Sequence, residues 1–320
     1  MKELDSIDAK ILFELDRNCR QSQKQIAKRV GATRNIVIHR IKKMEEAGVV
    51  KGYYTLIDFS KIGYSMVRVY LKLQNTTDQT ENKITDFLVK EKSTMTVYKT
   101  SASWDIAFVY LVRSLAEFDS LWMNFLKRFK PYIKEKIITL FYGYVHYSRN
   151  YLIPEKLRDY SEKITGGSLP LSLSESDLKF LRIIAADGKI SLLEISKSLG
   201  MTPTAIKFKM RSLEKKGVIL AYRAIVDLNK LGYEYYKIDL DLANVSARDQ
   251  IRKFLCAHPN VVYEDITFGG SDLEFDLEVK SSEEFENFMS GVRKTFPNAV
   301  KSFTFYKARE ILKYLYMPAN

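Results

Sequence analysis

Residues 26–48, IAKRVGATRNIVIHRIKKMEEAG, return at residues 195–217 as ISKSLGMTPTAIKFKMRSLEKKG. The match widens in both directions. Shifted by 169 positions, Leu4–Asn75 lies on Leu173–Asn244 without a gap, with 20 identities in 72 pairs. Unrelated chains of ordinary composition would share roughly one residue in fifteen. Gly31 falls on Gly200, Gly48 on Gly217 and Gly63 on Gly232, and Asp8/Asp177, Tyr53/Tyr222 and Asp58/Asp227 also coincide. Glycines recurring at fixed places suit helix ends and turns that need positive φ. Beyond Asn75 the shift becomes 167, pairing Phe87-Leu88 with Phe254-Leu255, Asp105 with Asp272, Phe118 with Phe285 and Phe129 with Phe296. The chain is therefore one two-part unit written twice.

Within the repeated stretch, Ile7, Ile11, Leu12 and Leu15 have helical spacing, as do Ile26, Ala27 and Val30. Gly31 ends the second helix, and Thr33 is placed to cap a third that runs to about Ala47. Helix, short glycine turn, helix is the spacing of a helix-turn-helix motif. Val49–Ile57 reads as a wing or connecting strand. The second part of the unit reads β-α-β-β-α-β: Ser65–Leu73, Asp78–Lys90, Thr94–Thr100, Asp105–Val112, Leu115–Phe129 and Lys136–Tyr147. That order is a ferredoxin-like split βαβ, and the second copy repeats it through Phe305.

The expected fold class is α+β, two tandem units each with a winged-helix-like helix-turn-helix domain followed by a ferredoxin-like βαββαβ domain. The divisions expected are residues 1–60 and 61–150, a linker over 151–170, then 171–229 and 230–320. Between the copies, Pro154–Glu162 reads as a short helix and Gly166-Gly167-Ser168 as a flexible joint.

On a wheel of 100° per residue the third helix buries Val37, Ile41 and Met44. Asn35, His39 and Lys42 then point outward, with Ile38 and Lys43 beside them and Arg34 near the helix start. This is the make-up of a recognition helix, apolar behind and donors in front for base edges of the major groove. Arg40 completes the basic residues expected to touch DNA. From Arg17 to Lys43 there are nine Lys or Arg and no acid. A solvated polar face is the plainer reading of charged helices, but an acid-free run of this length in a chain with 39 acids favours contact with a polyanion. The net charge of +12 and pI near 9.3 agree. In the second copy Ile206, Met210 and Leu213 face inward and Thr204, Phe208 and Arg211 outward, with Lys207 and Lys209 on the flanks. There Ala186–Ser212 holds five basic residues and two acids. Phe208 suits either a thymine methyl or a protein surface. The first copy is expected to dominate DNA affinity.

These residues resemble the Lrp/AsnC (feast/famine) regulators. The pattern is Leu4-Asp5, Asp8, Ile11-Leu12, Ile26-Ala27, Val30-Gly31, Thr33, Val37, Arg40-Ile41, Met44-Glu45, Gly48-Val49, Tyr53, Asp58 and Gly63. The resemblance implies a fused tandem member, since such regulators usually have half this length, and a sensor domain that binds amino-acid effectors near a T-G-x-x-D turn. The second copy keeps Gly269, Gly270 and Asp272 in that turn; the first has Ala102 in place of the glycine, Trp104 beside the aspartate, and Asp105. Plain hairpin turns are the alternative at both places. The aromatic strand Phe141–Tyr147 reads as a sheet face packed on a partner, which the fusion would supply within the chain as a pseudo-dimer.

The expected partners are double-stranded DNA and a small effector such as an amino acid, with homo-oligomers left open. No cofactor or metal is expected: Cys19 and Cys256 form no C-x-x-C pair, and His39, His146 and His258 are scattered. No apolar run approaches the ~20 residues of a membrane span, and acids stand where a signal peptide would be basic, so a cytoplasmic location is expected. Two rival readings are weighed. One is an enzyme, a siroheme decarboxylase built on the same architecture, for which no histidine-arginine cluster is evident. The other is a protein-binding regulator using a degenerate second helix-turn-helix.

Overall fold

A computed structural model of the chain describes residues 4–318. The first unit opens with α1 (Ser6–Asn18), α2 (Gln23–Val30) and α3 (Arg34–Glu46), then β1 (Val50–Ile57). Capping boxes start α1 at Asp5 and α2 at Ser22, each satisfying two orphan backbone groups. Gly31 closes α2 at φ 74°, a conformation costly for any residue with a Cβ. The βαββαβ part follows as β2 (Ser65–Leu73), α4 (Asp78–Lys90), β3 (Thr94–Ala102), β4 (Ile106–Val112), α5 (Leu115–Phe129) and β5 (Ile133–His146).

A short strand, β6 (Lys163–Gly166), separates this unit from the second. The second comprises α6 (Glu175–Ala186), α7 (Leu192–Leu199), α8 (Pro203–Lys215), β7 (Ile219–Val226) and the single turn α9 (Leu228–Leu231). It ends with β8 (Glu234–Leu242), α10 (Arg248–Cys256), β9 (Val261–Phe268), β10 (Leu273–Val279), α11 (Ser282–Thr295) and β11 (Val300–Tyr314). No helix among the described residues is long and apolar enough to cross a membrane.

The two copies interlock. Strands β1 and β7 pair antiparallel into a ribbon between the helical heads. Each copy's strand also bonds the end of the other copy's first helix: Cys19 N–H donates to Tyr222 O at 2.8 Å and Gly188 N–H to Tyr53 O at 2.9 Å. A single hydrophobic core therefore runs through both heads, from Ile11, Val37 and Met44 to Phe180, Ile206 and Leu213.

Below the heads, the two ferredoxin-like sheets merge. The strand order β2-β4-β3-β11-β8-β10-β9-β5 closes because β5 also pairs with β2. Strand β5 lies on β2 over residues 133–140 and on the other copy's β9 over 140–146; β11 lies on β8 and then on the first copy's β3. Each long last strand thus covers the edge that its partner domain would leave open, which removes a template for aggregation. Helices α4 and α5 cover one outer face and α10 and α11 the other. Inside, the two sheets meet through aromatics, with Tyr98 stacked on Tyr235 at 6.1 Å and Tyr70 edge-on to Tyr306 at 5.4 Å. The aromatic strand packs as a sheet face: Tyr144 and His146 are buried against Tyr263, while Tyr142 is exposed.

The connection between copies differs from its expectation. No helix forms over Pro154–Glu162; two 3-10 turns at Asn150–Leu152 and Glu155–Leu157 stand there instead. The Asn150 side chain clamps the Asp159 backbone in both directions, at 2.8 and 2.9 Å, which holds the segment as a loop. Nor is the glycine joint loose. Gly166 N–H donates to Asp58 at 2.9 Å, and Gly166 has φ 92°, with space for a Cβ blocked at 2.5 Å by the Tyr142 carbonyl. These glycines permit close packing.

Candidate nucleic-acid interface

The recognition face forms on α3 because Thr33 caps it, accepting the Ile36 N–H at 3.3 Å, and because Val37, Ile41 and Met44 are buried. Arg34, Asn35, Ile38, His39, Lys42 and Lys43 all lie exposed on that helix. Arg40 departs from its predicted place. It is half-buried and drawn to Asp5 and Asp8 of α1, the latter at 2.9 Å. The second copy repeats this: Thr204, Lys207, Phe208 and Arg211 are exposed, whereas Lys209 bonds Asp177 at 2.5 Å. Arg40 and Lys209 tie the recognition helix to the first helix of each head.

Phe208 is 77% exposed and makes no aromatic contact within the described residues. A partner that covered such a ring would gain roughly 1.5–3 kcal/mol, although single exposed rings are common on protein surfaces. His39 occupies the same position in α3, with a ring that offers both a donor and an acceptor.

The acid-free run of the first copy is less bare in space than in sequence. Glu14, outside it, pairs with Arg17 at 3.4 Å and Arg29 at 2.7 Å, and Asp159 takes Arg17 at 2.9 Å. Arg20 donates to Ile190 O and lies over the Tyr222 ring. Lys24, Lys28, Arg34 and Lys43 form no ion pair among the described residues, and Lys42 forms only an exposed one to Glu46 at 3.6 Å. Such pairs contribute little, so Lys42 remains available to a phosphate.

Sequence reasoning missed how the heads are held together. Lys61 donates to the Lys216 and Gly217 carbonyls at 3.0 and 3.2 Å, at the C-terminus of α8. Lys230 donates to Ala47 O at 2.6 Å, at the C-terminus of α3. Each copy thus places a cation on the negative end of the other copy's recognition helix. Tyr53 bonds Glu45 and Tyr222 bonds Glu214 in the same symmetric way. Lys61 and Lys230 coincide at the repeat shift of 169, which was the signal available.

The residues expected to bind an effector sit in two hairpin turns. Asp105 accepts the Leu73 N–H and Asp272 the Leu242 N–H, each at 2.8 Å, so both carboxylates pin the end of a neighbouring strand. Gly269 has φ 79° and Ala102 φ 78°; the alanine holds the glycine's conformation at a steric cost. Gly270 is exposed and lies against the Glu274 carboxylate, while Trp104 turns inward onto Tyr70 at 5.6 Å.

Two capped recognition helices on a shared core define a DNA-binding helix-turn-helix regulator. Comparison with known proteins agrees. A family model described as winged helix-turn-helix DNA-binding matches residues 4–51 and again 173–219. The HTH-type transcriptional regulator FL11 of Pyrococcus horikoshii is 33% identical over 117 residues, covering 37% of this chain and 78% of that protein. The leucine-responsive regulatory protein of Rhizobium meliloti is 45% identical over 65 residues, 20% of this chain and 42% of its own. The chain belongs to the Lrp/AsnC family of transcriptional regulators. Its whole architecture is also found in the crystal structure of the siroheme decarboxylase NirDL, with a TM-score of 0.63, 14% identity and coverage of 98% of this chain and 94% of that one. At that identity the likeness is one of fold.

Proposed function

We propose that one chain supplies both DNA-binding heads of this regulator and reads an asymmetric site, with the first head providing most of the affinity. The observation carrying this reading is the contrast between equivalent positions. Asn35, Ile38, His39, Lys42 and Lys43 of α3 stand where α8 has Thr204, Lys207, Phe208, Arg211 and Ser212. Asn pairs with adenine and Lys with guanine or phosphate, whereas an exposed Phe reads little beyond a thymine methyl. Arg34 lies on the first turn, where side chains of such helices approach bases; the second copy has Pro203 there. A small effector acting through the ferredoxin-like half, and regulation without catalysis, complete the reading. The regulator relatives support both. Binding to an operator selected from random duplexes tests it: log affinity should fall steeply with log salt, and affinity flat in salt would refute it.

One observation favours a second reading, a tetrapyrrole enzyme on the same architecture. His146 is buried with both ring nitrogens unpartnered among the described residues, beside a cleft of about 540 Å³ lined by Arg17, Arg20, Arg29 and Arg223. Against it, Arg17, Arg29 and Arg223 are already committed to Asp159, Glu14 and Asp16. Absorbance after incubation with siroheme decides: a stable, stoichiometric shifted band would support the enzyme, and an unchanged spectrum would support the regulator.

A further inference from the structure

The interior between the two sheets carries a charge imbalance. Among the described residues one cluster there holds four buried carboxylates, Asp239, Asp265, Glu274 and Asp276, facing two cations, Arg68 and Lys237, while Glu278 farther along β10 is matched by Arg149. Arg68 reaches across from the first copy to Asp265 and Glu274, each at 2.5 Å. Lys237 lies 3.1–3.6 Å from all four acids. Among the described residues, one oxygen of Asp239 and one of Asp276 have no hydrogen-bond partner, nor has the Lys237 ammonium, which stands 3.3 and 3.6 Å from those two oxygens. The pairing is electrostatic and leaves hydrogen-bonding capacity of the buried carboxylates unused.

All four acids belong to the second copy. At the repeat shifts of 169 and 167 the first copy has Tyr70, Tyr98, Ala107 and Val109 in their places. The interior therefore has one acidic wall and one aromatic wall, an arrangement unavailable to two identical subunits.

Asp265 and Asp276, with Arg68 and Lys237 between them, border a chamber of about 40 Å³, room for a group the size of water or an ammonium. Tyr98, Tyr235 and Tyr314 line both this chamber and a larger cavity of about 270 Å³, to which Tyr54 and Tyr263 contribute. Tyr235 links the two directly, its hydroxyl donating to Asp276. Aromatic faces above a surplus of negative charge attract organic cations by the ring quadrupole and by direct Coulomb attraction.

We propose that the interior is a binding site for a small primary amine bearing an apolar body, its ammonium beside Asp276 and its body among the tyrosines. The larger cavity is also bordered by Tyr54 and residues 224–226 of the ribbon that joins the DNA-binding heads. Occupancy is thereby placed to be felt by the heads. That consequence rests on the DNA-binding reading, whereas the binding itself is measured without DNA and fails or succeeds separately.

Calorimetric titration of the full chain at about pH 8.5, above the raised Asp276 carboxyl, with three probes of one shape tests the proposal: phenethylammonium, neutral 2-phenylethanol and anionic phenylacetate. Phenethylammonium should bind once per chain and most tightly. Asp276→Asn should weaken it by about tenfold or more, the range of a lost charged hydrogen bond, and leave 2-phenylethanol unchanged. Tyr98→Leu alters the wall and not the charge, and should weaken amine and alcohol alike; it carries the test should Asp276→Asn not fold. No phenethylammonium binding up to about 10 mM, weaker than the affinity of ordinary small ligands, would overturn the proposal. So would equal binding of the alcohol, stronger binding of phenylacetate, or an unaltered Asp276→Asn affinity.

Discussion

Reversing both charges at Lys42 and Lys43 separates a DNA-reading first head from a merely solvated one. Both side chains are exposed, Lys42 at 73%, and the sole ion pair between them and the described residues is Lys42–Glu46. In water, two unit charges about 5 Å apart interact by about 0.8 kcal/mol. Exchanging +1 for −1 doubles that, and screening over a Debye length of about 8 Å halves it again. Each reversal then costs about 0.9 kcal/mol and the pair about 1.8 kcal/mol, close to 20-fold in affinity. The damage to the helix is smaller: Lys42→Glu sets a second carboxylate one turn from Glu46, an i,i+4 repulsion of about 0.5 kcal/mol, and the core under α3 is untouched. Fluorescence anisotropy with a selected operator at fixed salt reads the effect directly. The salt slope should also fall by about 1.8, two phosphate contacts at about 0.9 each. The same reversals at Lys207 and Arg211 should cost less than about threefold, below what one contact supplies. Equal losses in the two heads would refute the reasoning, because they would make the heads equivalent readers.

Three further outcomes follow from the geometry. Lys61→Met or Lys230→Met removes a cation from the other copy's helix end and should cost about 1 kcal/mol in chemical denaturation; no loss would mean that the cross-copy caps are idle. Ala102→Gly relieves roughly 1–2 kcal/mol of left-handed strain against roughly 0.5–1 of added chain entropy; a melting temperature that rises slightly checks it, and a fall would contradict it. Burial pushes the Asp276 carboxyl well above its ordinary 3.8, against the pull of Lys237. The folded chain therefore keeps a proton that the unfolded chain has lost. That contribution to stability is whole below about pH 4 and is lost as pH rises through the raised carboxyl. Asp239 beside it is raised by burial as well, so Asp276→Asn should show a shallower fall, not a flat line, when stability is followed by urea denaturation from about pH 4 to about pH 8, and identical slopes would contradict it.

The frame of the molecule was legible because the repeat marks positions that build each head. Asp8 and Asp177 take Arg40 and Lys209, and Tyr53 and Tyr222 bond the recognition helices of their own copies. The reading faces were legible too, since one helical period separates Val37, Ile41 and Met44 from Asn35, His39 and Lys42. Closure of the sheets was not. It depends on Tyr306–Tyr314 lying on residues some two hundred positions earlier, and nothing local records such a register. The neutralisation of the basic run was hidden for a similar reason, as Glu14 and Asp159 lie outside it.

The acidic interior is not marked as one in the sequence. Leu273–Val279, LEFDLEV, alternates apolar and acidic residues, which usually marks a strand with one face in water. All seven residues are buried, because the face that reads as solvent is the inside of a closed sheet. Packing of the two domains on each other makes that face an interior.

Directed DNA cleavage tests the central claim, one chain with two unlike heads on one site, most directly. Glu46 and Lys215 are equivalent, exposed and at the ends of α3 and α8. A cleaving iron chelate is attached through Glu46→Cys or Lys215→Cys, with Cys256 replaced by Ser. The account predicts that the Glu46→Cys protein cuts one half of the operator and the Lys215→Cys protein the other half. Cuts in both halves from each protein would show that two chains present the same head twice, and would contradict it.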